Sequence, residues 1–225
     1  MKKKTVYIQR IPGPFASLYE KASLRVRDTY YAPMAAEIAS HLKDGRILDL
    51  GTGPGFLPIE IARKSSRIRI DGIDLTPSLI KMAQNHASEA GVEQRVNFEV
   101  GNASRLRWPD NTFDMVISTG MLHTLKAPVR VLRECRRVLK PGGRAWVFDP
   151  ARVSSHIDKR KWKASFTFME RILYALFLLY ARIHPGRVYT PEQVASMIRS
   201  AGFRGIEIQV DGKEIRAKMV KPSGS

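Results

Sequence analysis

A short apolar strand that runs directly into a glycine-rich turn constrains this chain more than any other feature. Residues 47–50 are Ile-Leu-Asp-Leu, and Gly51-Thr52-Gly53-Pro54-Gly55 then places glycine at every second position before an amphipathic segment begins. Glycine permits positive φ and leaves no Cβ between the backbone and a ligand. The pattern predicts a strand–turn–helix unit whose turn can hold a nucleotide-like ligand.

The acidic residue Asp74, at the end of the next predicted strand, narrows the choice of ligand. It follows the turn by about 20 residues, the spacing at which a carboxylate accepts both hydroxyls of a ribose. A dinucleotide fingerprint requires glycine where this chain has Phe56, and a phosphate-binding loop requires lysine and a hydroxyl where it has Phe56-Leu57. We therefore expect a ligand that has a ribose but no phosphate.

Short apolar runs alternate with longer amphipathic stretches through the middle of the chain. The predicted strands cover 47–50, 68–73, 96–100, 113–118 and 145–148, and predicted helices begin at Pro58, Pro77 and Ala127. This alternation predicts a parallel sheet with helices on both faces. Strands at 206–210 and 214–220 flank Asp211-Gly212 and predict a terminal hairpin, which brings an antiparallel strand into the sheet.

Local signals predict where the helices begin and end. Thr76 before Pro77 predicts an N-cap, and Gly91 predicts the end of that helix. Pro141-Gly142-Gly143 predicts the end of a helix over 127–140. A capping box at Thr190-Pro191-Glu192-Gln193 predicts a last helix, which closes at Gly202.

Composition limits the remaining classes of protein. The chain has 225 residues, of which 44% are hydrophobic, so it can bury one substantial core. A formal net charge of +17 predicts an anionic partner such as nucleic acid, a phosphorylated metabolite or a lipid surface. Cys135 is the only cysteine, which excludes internal disulfides, and no apolar signal segment follows the basic start at 1–4. We expect a cytoplasmic protein.

Five motifs, in order, resemble those of class I S-adenosylmethionine (AdoMet)-dependent methyltransferases. They are Asp49-Leu50-Gly51-Thr52-Gly53-Pro54-Gly55, Asp74-Leu75, Gly101-Asn102-Ala103, Phe113-Asp114-Met115-Val116-Ile117-Ser118 and Val138-Leu139-Lys140-Pro141-Gly142-Gly143. The resemblance covers roughly residues 15–150 and resumes at 188–220. It implies an α/β fold: a Rossmann-like, doubly wound, seven-stranded and mostly parallel sheet with an antiparallel last strand.

The resemblance also implies a cofactor site, with S-adenosylhomocysteine as the product. The first motif would hold the methionine end of AdoMet, Asp74 the ribose, and Leu75 and Asn102 the adenine, although Asp is common at the position of Asn102. The residues thus assigned to the cofactor are Asp49, Gly51, Thr52, Gly53, Gly55, Asp74, Leu75, Gly101, Asn102, Ala103, Ser118, Tyr19 and Tyr30. No metal site is expected.

His123 is the candidate catalytic residue. It follows the predicted fourth strand, where the family often has a histidine, and could act as a general base. A role limited to packing or hydrogen bonding is the alternative. Cys135 is expected in the core rather than as a nucleophile.

Tyrosines mark the N-terminal segment, which in the family folds over the cofactor. Tyr19, Tyr30 or Tyr31 could hydrogen-bond the cofactor carboxylate or flank the substrate. Equally, an amphipathic helix uses tyrosine at the margin of its apolar face.

We divide the chain into four parts. They are an N-terminal helical lid (1–46), an AdoMet-binding core (47–150), a helical cap insertion (151–187) and a C-terminal helix and β-hairpin that complete the sheet (188–225). Segment 159–181 begins with basic residues around Trp162 and ends in an apolar run too short to span a bilayer. It could be a lid over an apolar substrate, a homodimer contact, or a helix lying in a membrane interface.

Transfer of a methyl group from AdoMet to a small, apolar or anionic molecule by in-line displacement is the leading hypothesis. Ser118-Thr119-Gly120-Met121 replaces the Asn/Asp-Pro-Pro-aromatic motif of adenine-N6 and glutamine-N5 enzymes, which favours the small-molecule group. A peripheral position at a membrane is compatible with it. Methylation of RNA or protein through the basic surface is the second hypothesis, and AdoMet binding without turnover is the third.

Overall fold

The computed structural model describes residues 10–11, 13–150, 172, 175–176, 187, 189–210 and 214–224. All but four residues of the expected cap (151–187) lie outside the described residues, and so does the turn pair Asp211-Gly212. The described part contains the glycine turn and His123.

Strands and helices alternate along the core, as the sequence predicts. The strands are β1 (Gly45–Leu50), β2 (Ile68–Asp74), β3 (Val96–Val100), β4 (Phe113–Thr119), β5 (Leu139–Pro150), β6 (Arg204–Val210) and β7 (Glu214–Val220). The helices are α1 (Ala16–Arg25), α2 (Ala32–His41), α3 (Phe56–Lys64), α4 (Pro77–Glu89), α5 (Pro128–Val138) and α6 (Pro191–Ser200). Short 3-10 turns lie at Gly13–Phe15 and Leu122–Thr124, and a π-helical turn lies at Arg27–Tyr31.

The strands form one seven-stranded sheet in the order β3-β2-β1-β4-β5-β7-β6. β1 pairs in parallel with β2 and β4, and β4 pairs in parallel with β5. β7 is antiparallel to both of its neighbours, so β6 again runs with the parallel strands. The predicted Rossmann-like, doubly wound sheet with a reversed last strand is confirmed.

The two faces of the sheet bury two apolar clusters, because side chains alternate along each strand. On one face, Leu48, Leu50 and Val116 pack with residues of α5 and α6 such as Leu132 and Ile198. On the other, Ile47, Met115 and Ile117 pack with residues of α2, α3 and α4 such as Ile38, Ile61 and Ala83. Helix α2 therefore lies on the second face, together with α3 and α4.

The predicted helix ends are largely confirmed. Thr190 and Gln193 form the expected reciprocal capping box on α6, and Gly91 and Gly202 have φ of +64° and +85° after α4 and α6. The prediction for Thr76 is wrong in one respect. It occupies the N-cap position of α4, but its side chain caps no helix N–H, because the hydroxyl accepts from the backbone N–H of Ile11 at 3.2 Å.

β5 begins earlier in the chain than the sequence predicts. α5 ends at Val138 instead of residue 140, and β5 starts at Leu139, which pairs with Phe113. Pro141-Gly142-Gly143 therefore lies inside an irregular strand, where Gly142 has φ of +75°. The buried Lys221 ammonium donates to the Leu139 carbonyl oxygen at 2.8 Å and fixes this transition.

A membrane-spanning helix and a metal-binding cluster are both absent from the described residues. No helix among them is long and apolar enough to cross a bilayer. No group of three or more His, Cys, Asp or Glu side chains among them could hold a metal ion.

Candidate active site

The glycine turn connects β1 to α3 and is built on left-handed backbone. Gly51, Gly53 and Gly55 have φ of +72°, +55° and +81°, a region in which residues with a Cβ are strained. The N–H groups of Gly51 and Thr52 both donate to the Ile73 carbonyl oxygen, at 2.8 and 2.9 Å. The end of β2 thus holds the turn in place.

The three glycines are needed for different reasons. A Cβ on Gly55 would lie 2.7 Å from Phe98 and 2.8 Å from Ala83, so this glycine lets α3 approach the core. A Cβ on Gly53 would meet the ring of Tyr19 at 3.2 Å, and one on Gly51 would meet the Met121 sulfur at 3.0 Å. The space above Gly51 and Gly53 is therefore bounded by side chains that can move, whereas Gly55 faces packed core.

The Asp74 carboxylate ends β2 beside this turn. Its Oδ2 accepts from the N–H of Gly53 at 3.2 Å and its Oδ1 accepts from the N–H of Thr76 at 2.8 Å. Burial raises the pKa of the Asp74 carboxyl, and these backbone hydrogen bonds oppose the increase. Each carboxylate oxygen has a second lone pair, so Asp74 can still accept from the hydroxyls of a ribose.

Asp49 and Thr52 each have a buried side-chain oxygen at the turn without a hydrogen-bond partner. Asp49 Oδ1 and Thr52 Oγ1 are both inaccessible and unpaired, and Asp49 is 2% exposed. Burial raises the pKa of the Asp49 carboxyl to about 7, although the nearby Thr52 hydroxyl lowers it. Unpaired buried polar atoms are costly and uncommon, so these two oxygens mark a place where a polar or cationic ligand fits.

Two tyrosines border a small cavity over these oxygens. The cavity is lined by Tyr19 of α1, Tyr31 of the π-helical turn, Asp49, Thr52 and Thr119, together with Gly51, Pro54, Phe56 and Leu57. Burial raises the pKa of both tyrosine hydroxyls, and the Asp49 carboxylate adds to the increase. The N-terminal helix α1 thus covers the glycine turn.

Tyr30 is not among the residues that line this cavity. Its hydroxyl donates to the Glu214 carboxylate at the start of β7, and Glu214 also accepts from Arg216 at 2.6 Å. Burial, together with this contact, raises the pKa of the Tyr30 hydroxyl. The structure therefore brings Tyr19 and Tyr31 to the turn, while Tyr30 joins the N-terminal segment to β7.

The residues expected around adenine follow β2 and β3. Leu75 is half-buried, Gly101 donates its N–H to the Asp74 carbonyl oxygen at 3.0 Å, and Ala103 belongs to a buried core cluster. The Oδ1 atom of Asn102 accepts from the backbone N–H and the hydroxyl of Ser104, both at 2.9 Å. In this arrangement the oxygen expected to meet the adenine amine is already engaged.

Ser118 and Thr119 face opposite sides of the sheet. Ser118 follows Val116 on the face that packs against α5, where its hydroxyl is buried and unpaired. Thr119 follows Ile117 on the other face and lines the cavity with Asp49. The structure places Thr119, which the sequence did not single out, next to the glycine turn.

His123 lies in the 3-10 turn that follows β4. Its Nδ1 is 2.9 Å from Oδ1 of Asp149, a residue near the end of β5 that is 4% exposed. Met121, two residues earlier, packs against Gly51. His123 is thus two residues from a side chain that packs on the glycine turn, and the buried Asp149 carboxylate orients its ring.

Cys135 lies in the core, as expected. It is buried in α5 among apolar side chains, and burial raises the pKa of its thiol to about 12. A thiol with such a high pKa is a poor nucleophile at neutral pH.

The sequence predictions missed Thr119, Met121 and Asp149. Thr119 and Met121 carry no signal of their own, because nothing in the sequence shows which side chains approach Gly51. Asp149 could have been found, since it follows the apolar strand residues 145–148 as Asp74 follows 68–73, and both strands end at the same edge of the sheet.

The fold and the site define the class of this protein: it is an AdoMet-dependent methyltransferase. Strand order, reversed β7, glycine turn and acidic β2 terminus match that class, and the unpaired oxygens of Asp49 and Thr52 fit a cofactor with a cationic end. Residues 41–202 match a family model described as a methyltransferase domain, and the chain belongs to that family.

Two relatives agree with this assignment, and a solved structure shares the fold. The chain is 31% identical over 189 residues to the demethylmenaquinone methyltransferase of Deinococcus radiodurans, covering 81% of this chain and 77% of that protein. It is 34% identical over 161 residues to the ubiquinone biosynthesis O-methyltransferase of Paracidovorax citrulli, covering 71% and 63%. A Methanococcus maripaludis structure described as an AdoMet-dependent methyltransferase shares the fold, with a TM-score of 0.71, 19% identity and 93% coverage of each chain.

Proposed function

We propose that the methyl acceptor is a small, apolar aromatic molecule with an acidic O–H group, such as a quinol or another phenol. Two relatives support this class of substrate, because their names place them on quinone precursors. Phenols and quinols must lose a proton before or during methyl transfer, whether oxygen or a ring carbon attacks. An enzyme for them needs a base next to the cofactor.

The position of His123 is the observation that carries this proposal. Met121 packs against Gly51 on one side of the turn at Leu122–Thr124. On the other side, the N–H of Arg187 donates to the His123 carbonyl oxygen at 2.9 Å, at the end of the expected cap. Residue 123 is therefore joined through its neighbours to the glycine turn and through its own backbone to the end of the expected cap, which supports a base role for its imidazole.

The cofactor would be held by the residues around the turn. Asp49 and Thr52 would face its cationic methionine end, and Asp74 would accept from its ribose hydroxyls, with Gly51, Gly53 and Gly55 shaping the turn. Leu75, Gly101, Asn102 and Ala103 would border adenine once Asn102 exchanges a hydrogen bond from Ser104. When bound, AdoMet supplies an electrophilic methyl carbon on a sulfonium.

The remaining parts of the chain take roles around this core. Residues 1–46 would form a lid, since α1 places Tyr19 over Gly53, and residues 151–187 would form the substrate cap. Residues 1–46 and 151–225 carry 9 and 14 basic against 4 and 6 acidic side chains. This excess would hold the enzyme at an anionic membrane surface, where an apolar acceptor dissolves.

A transfer assay with defined acceptors tests the proposal. The full chain is incubated with [methyl-³H]AdoMet and either a short-tailed demethylmenaquinol or a catechol, and the same quinone in its oxidised form is the matched control because it has no O–H. We expect organic-phase label with a reduced acceptor and none with the quinone. Calorimetry on the same sample establishes that AdoMet binds. Binding without label in either acceptor, or label in added RNA alone, contradicts the proposal.

A further inference from the structure

Asp149 is a buried carboxylate whose hydrogen-bond partner is His123. Oδ1 of Asp149 lies 2.9 Å from His123 Nδ1 and 3.4 Å from the His123 backbone nitrogen. Within the described residues no lysine or arginine forms an ion pair with it. A buried carboxylate is stable only when donors face it, and an ionised carboxylate can only accept. The 2.9 Å contact therefore favours a His123 ring that presents an N–H at Nδ1.

The register of the sheet fixes this geometry. Phe148 and Asp149 of β5 pair with Arg216 and Ile215 of β7, so Asp149 points to the α5 side while Phe148 points to the α2 side. The N–H of Gly120 donates to the Phe148 carbonyl oxygen at 2.7 Å and fixes where the chain leaves β4. The carboxylate and the turn that carries His123 are thereby both held by strands.

We propose that Asp149 is a positioning residue that makes Nε2 of His123 the proton acceptor of the reaction. With its proton on Nδ1, a neutral imidazole keeps a lone pair on Nε2, and the choice between the two nitrogens is set by the hydrogen bond that the other one makes. The carboxylate also stabilises the imidazolium that forms when Nε2 takes a proton. The side chain of His123 is 27% exposed, so an acceptor can reach the ring.

This inference rests on the proposed function, because it needs an acceptor that must lose a proton. The acceptor O–H gives its proton to the Nε2 lone pair, and the electrons left behind form the new bond to the methyl carbon. The C–S bond pair returns to the sulfur, which leaves as a neutral thioether. The imidazolium then releases its proton to water, which restores the neutral ring.

A purely structural role for Asp149 makes different predictions. The contact with the His123 backbone nitrogen could simply anchor the turn at 122–124 to β5. Loss of the carboxylate would then lower stability and activity without changing which ring nitrogen carries the proton. The tautomer of His123 separates the two roles.

Long-range ¹H–¹⁵N NMR of the full chain measures that tautomer without any acceptor. We expect neutral His123 to be protonated on Nδ1, and the similarly shaped variant Asp149→Leu to shift the population towards Nε2–H. Thr124→Val, which removes the hydrogen bond from Thr124 to the Met121 carbonyl oxygen in the same turn, is the control and should leave the tautomer unchanged. His123→Gln identifies the signal.

Kinetics with whichever acceptor is methylated completes the test. Asp149→Asn keeps an oxygen but loses the charge, so kcat should fall by about 10-fold. Asp149→Leu loses both, so kcat should fall by about 100-fold, within the range of general base catalysis. AdoMet affinity from calorimetry should change by less than about two-fold. A wild-type His123 protonated on Nε2 overturns the inference even if quinols are substrates. Nδ1 protonation with no quinol or catechol turnover overturns the proposed acceptor instead.

Discussion

Glu20 contacts the ring of His86 and joins the N-terminal helix to the core, with Glu20 Oε1 2.9 Å from His86 Nε2. The other ring nitrogen, Nδ1, lies 2.9 Å from the Pro54 carbonyl oxygen in the glycine turn. Phe56 stacks on the same ring with centroids 4.9 Å apart. One imidazole therefore connects α1 to the backbone that would hold the cofactor.

Glu20→Gln should loosen α1 and weaken cofactor binding. A neutral amide keeps the shape of Glu20 but loses the charge of the carboxylate. The contact is largely buried, with the His86 and Glu20 side chains 21% and 25% exposed. We expect AdoMet affinity to fall about two- to five-fold, consistent with the loss of one partly screened polar contact. Hydrogen exchange of the backbone over residues 16–25 should become faster in the cofactor-free protein.

The pair between half-exposed Arg63 and mostly buried Glu60 is the control for that variant. It joins residues three apart on α3, with an N–O distance of 3.0 Å, and does not contact α1. Arg63→Gln should change neither exchange over 16–25 nor AdoMet affinity. Unchanged exchange in both variants would show that the Glu20–His86 contact does not hold α1.

Gly55→Ala should destabilise the protein far more than Gly120→Ala. Both glycines have positive φ, +81° and +64°, so alanine is strained at either position by about 1 kcal/mol. A Cβ on Gly55 would also overlap Phe98 and Ala83, whereas a Cβ on Gly120 meets nothing within 4 Å. We expect a loss of about 2–4 kcal/mol in the free energy of unfolding for Gly55→Ala. Denaturant melts of both variants measure it, and equal losses would contradict the packing role.

Much of the fold was predictable because strand periodicity and turn glycines are local signals. The alternation of apolar runs gave five parallel strands, and the hairpin signal gave β7. Where local signals failed, a tertiary contact decided. Thr76 turns its hydroxyl to Ile11 instead of its own helix, and pairing of Leu139 with Phe113 ends α5 before Pro141 does.

The candidate site was predictable to a smaller extent. Motif spacing found the turn and Asp74, which lie on neighbouring parallel strands. It could not tell Tyr30 from Tyr31, because the π-helical turn over Arg27–Tyr31 directs adjacent side chains to different partners. Nor could it show that Asp149 reaches His123, since that contact depends on where the chain leaves β4 and β5.

Asp49 should make protein stability fall with increasing pH. Its pKa is about 7 in the folded chain against the ordinary 3.8, so the folded state holds a proton that the unfolded state has already lost. This favours folding below about pH 4, and the advantage is lost as pH rises through about 7. Asp49→Asn should therefore raise the free energy of unfolding at pH 8 by a few kcal/mol and have no such effect near pH 4. Urea melts across this range test it.

The same carboxyl should make cofactor affinity rise with pH. A cationic ligand favours ionised Asp49, so AdoMet binding must drive off its proton below about pH 7. From about pH 5.5 to about 7.5 we expect AdoMet affinity of the wild-type chain to increase by about 10-fold or more, with proton release detectable by calorimetry in buffers of different ionisation enthalpy. Asp49→Asn should bind weakly with no such pH dependence. A rise of the same size in the variant would assign it to another group.

Tyr30→Phe and Tyr31→Phe should have different effects on stability and on AdoMet affinity. Tyr30→Phe removes the donor to buried Glu214 and should cost about 1–2 kcal/mol of stability, while AdoMet affinity stays within about two-fold because the Tyr30 hydroxyl bonds to β7. Tyr31→Phe removes the hydroxyl of a side chain that lines the cavity with Asp49, so AdoMet affinity should fall about five-fold or more. Thermal melts and calorimetry on the two variants give both quantities. The opposite pattern, with Tyr30→Phe weakening AdoMet binding, would place Tyr30 in the cofactor site, as the family resemblance implies. Its hydrogen bond to Glu214 would then have to open when the ligand binds.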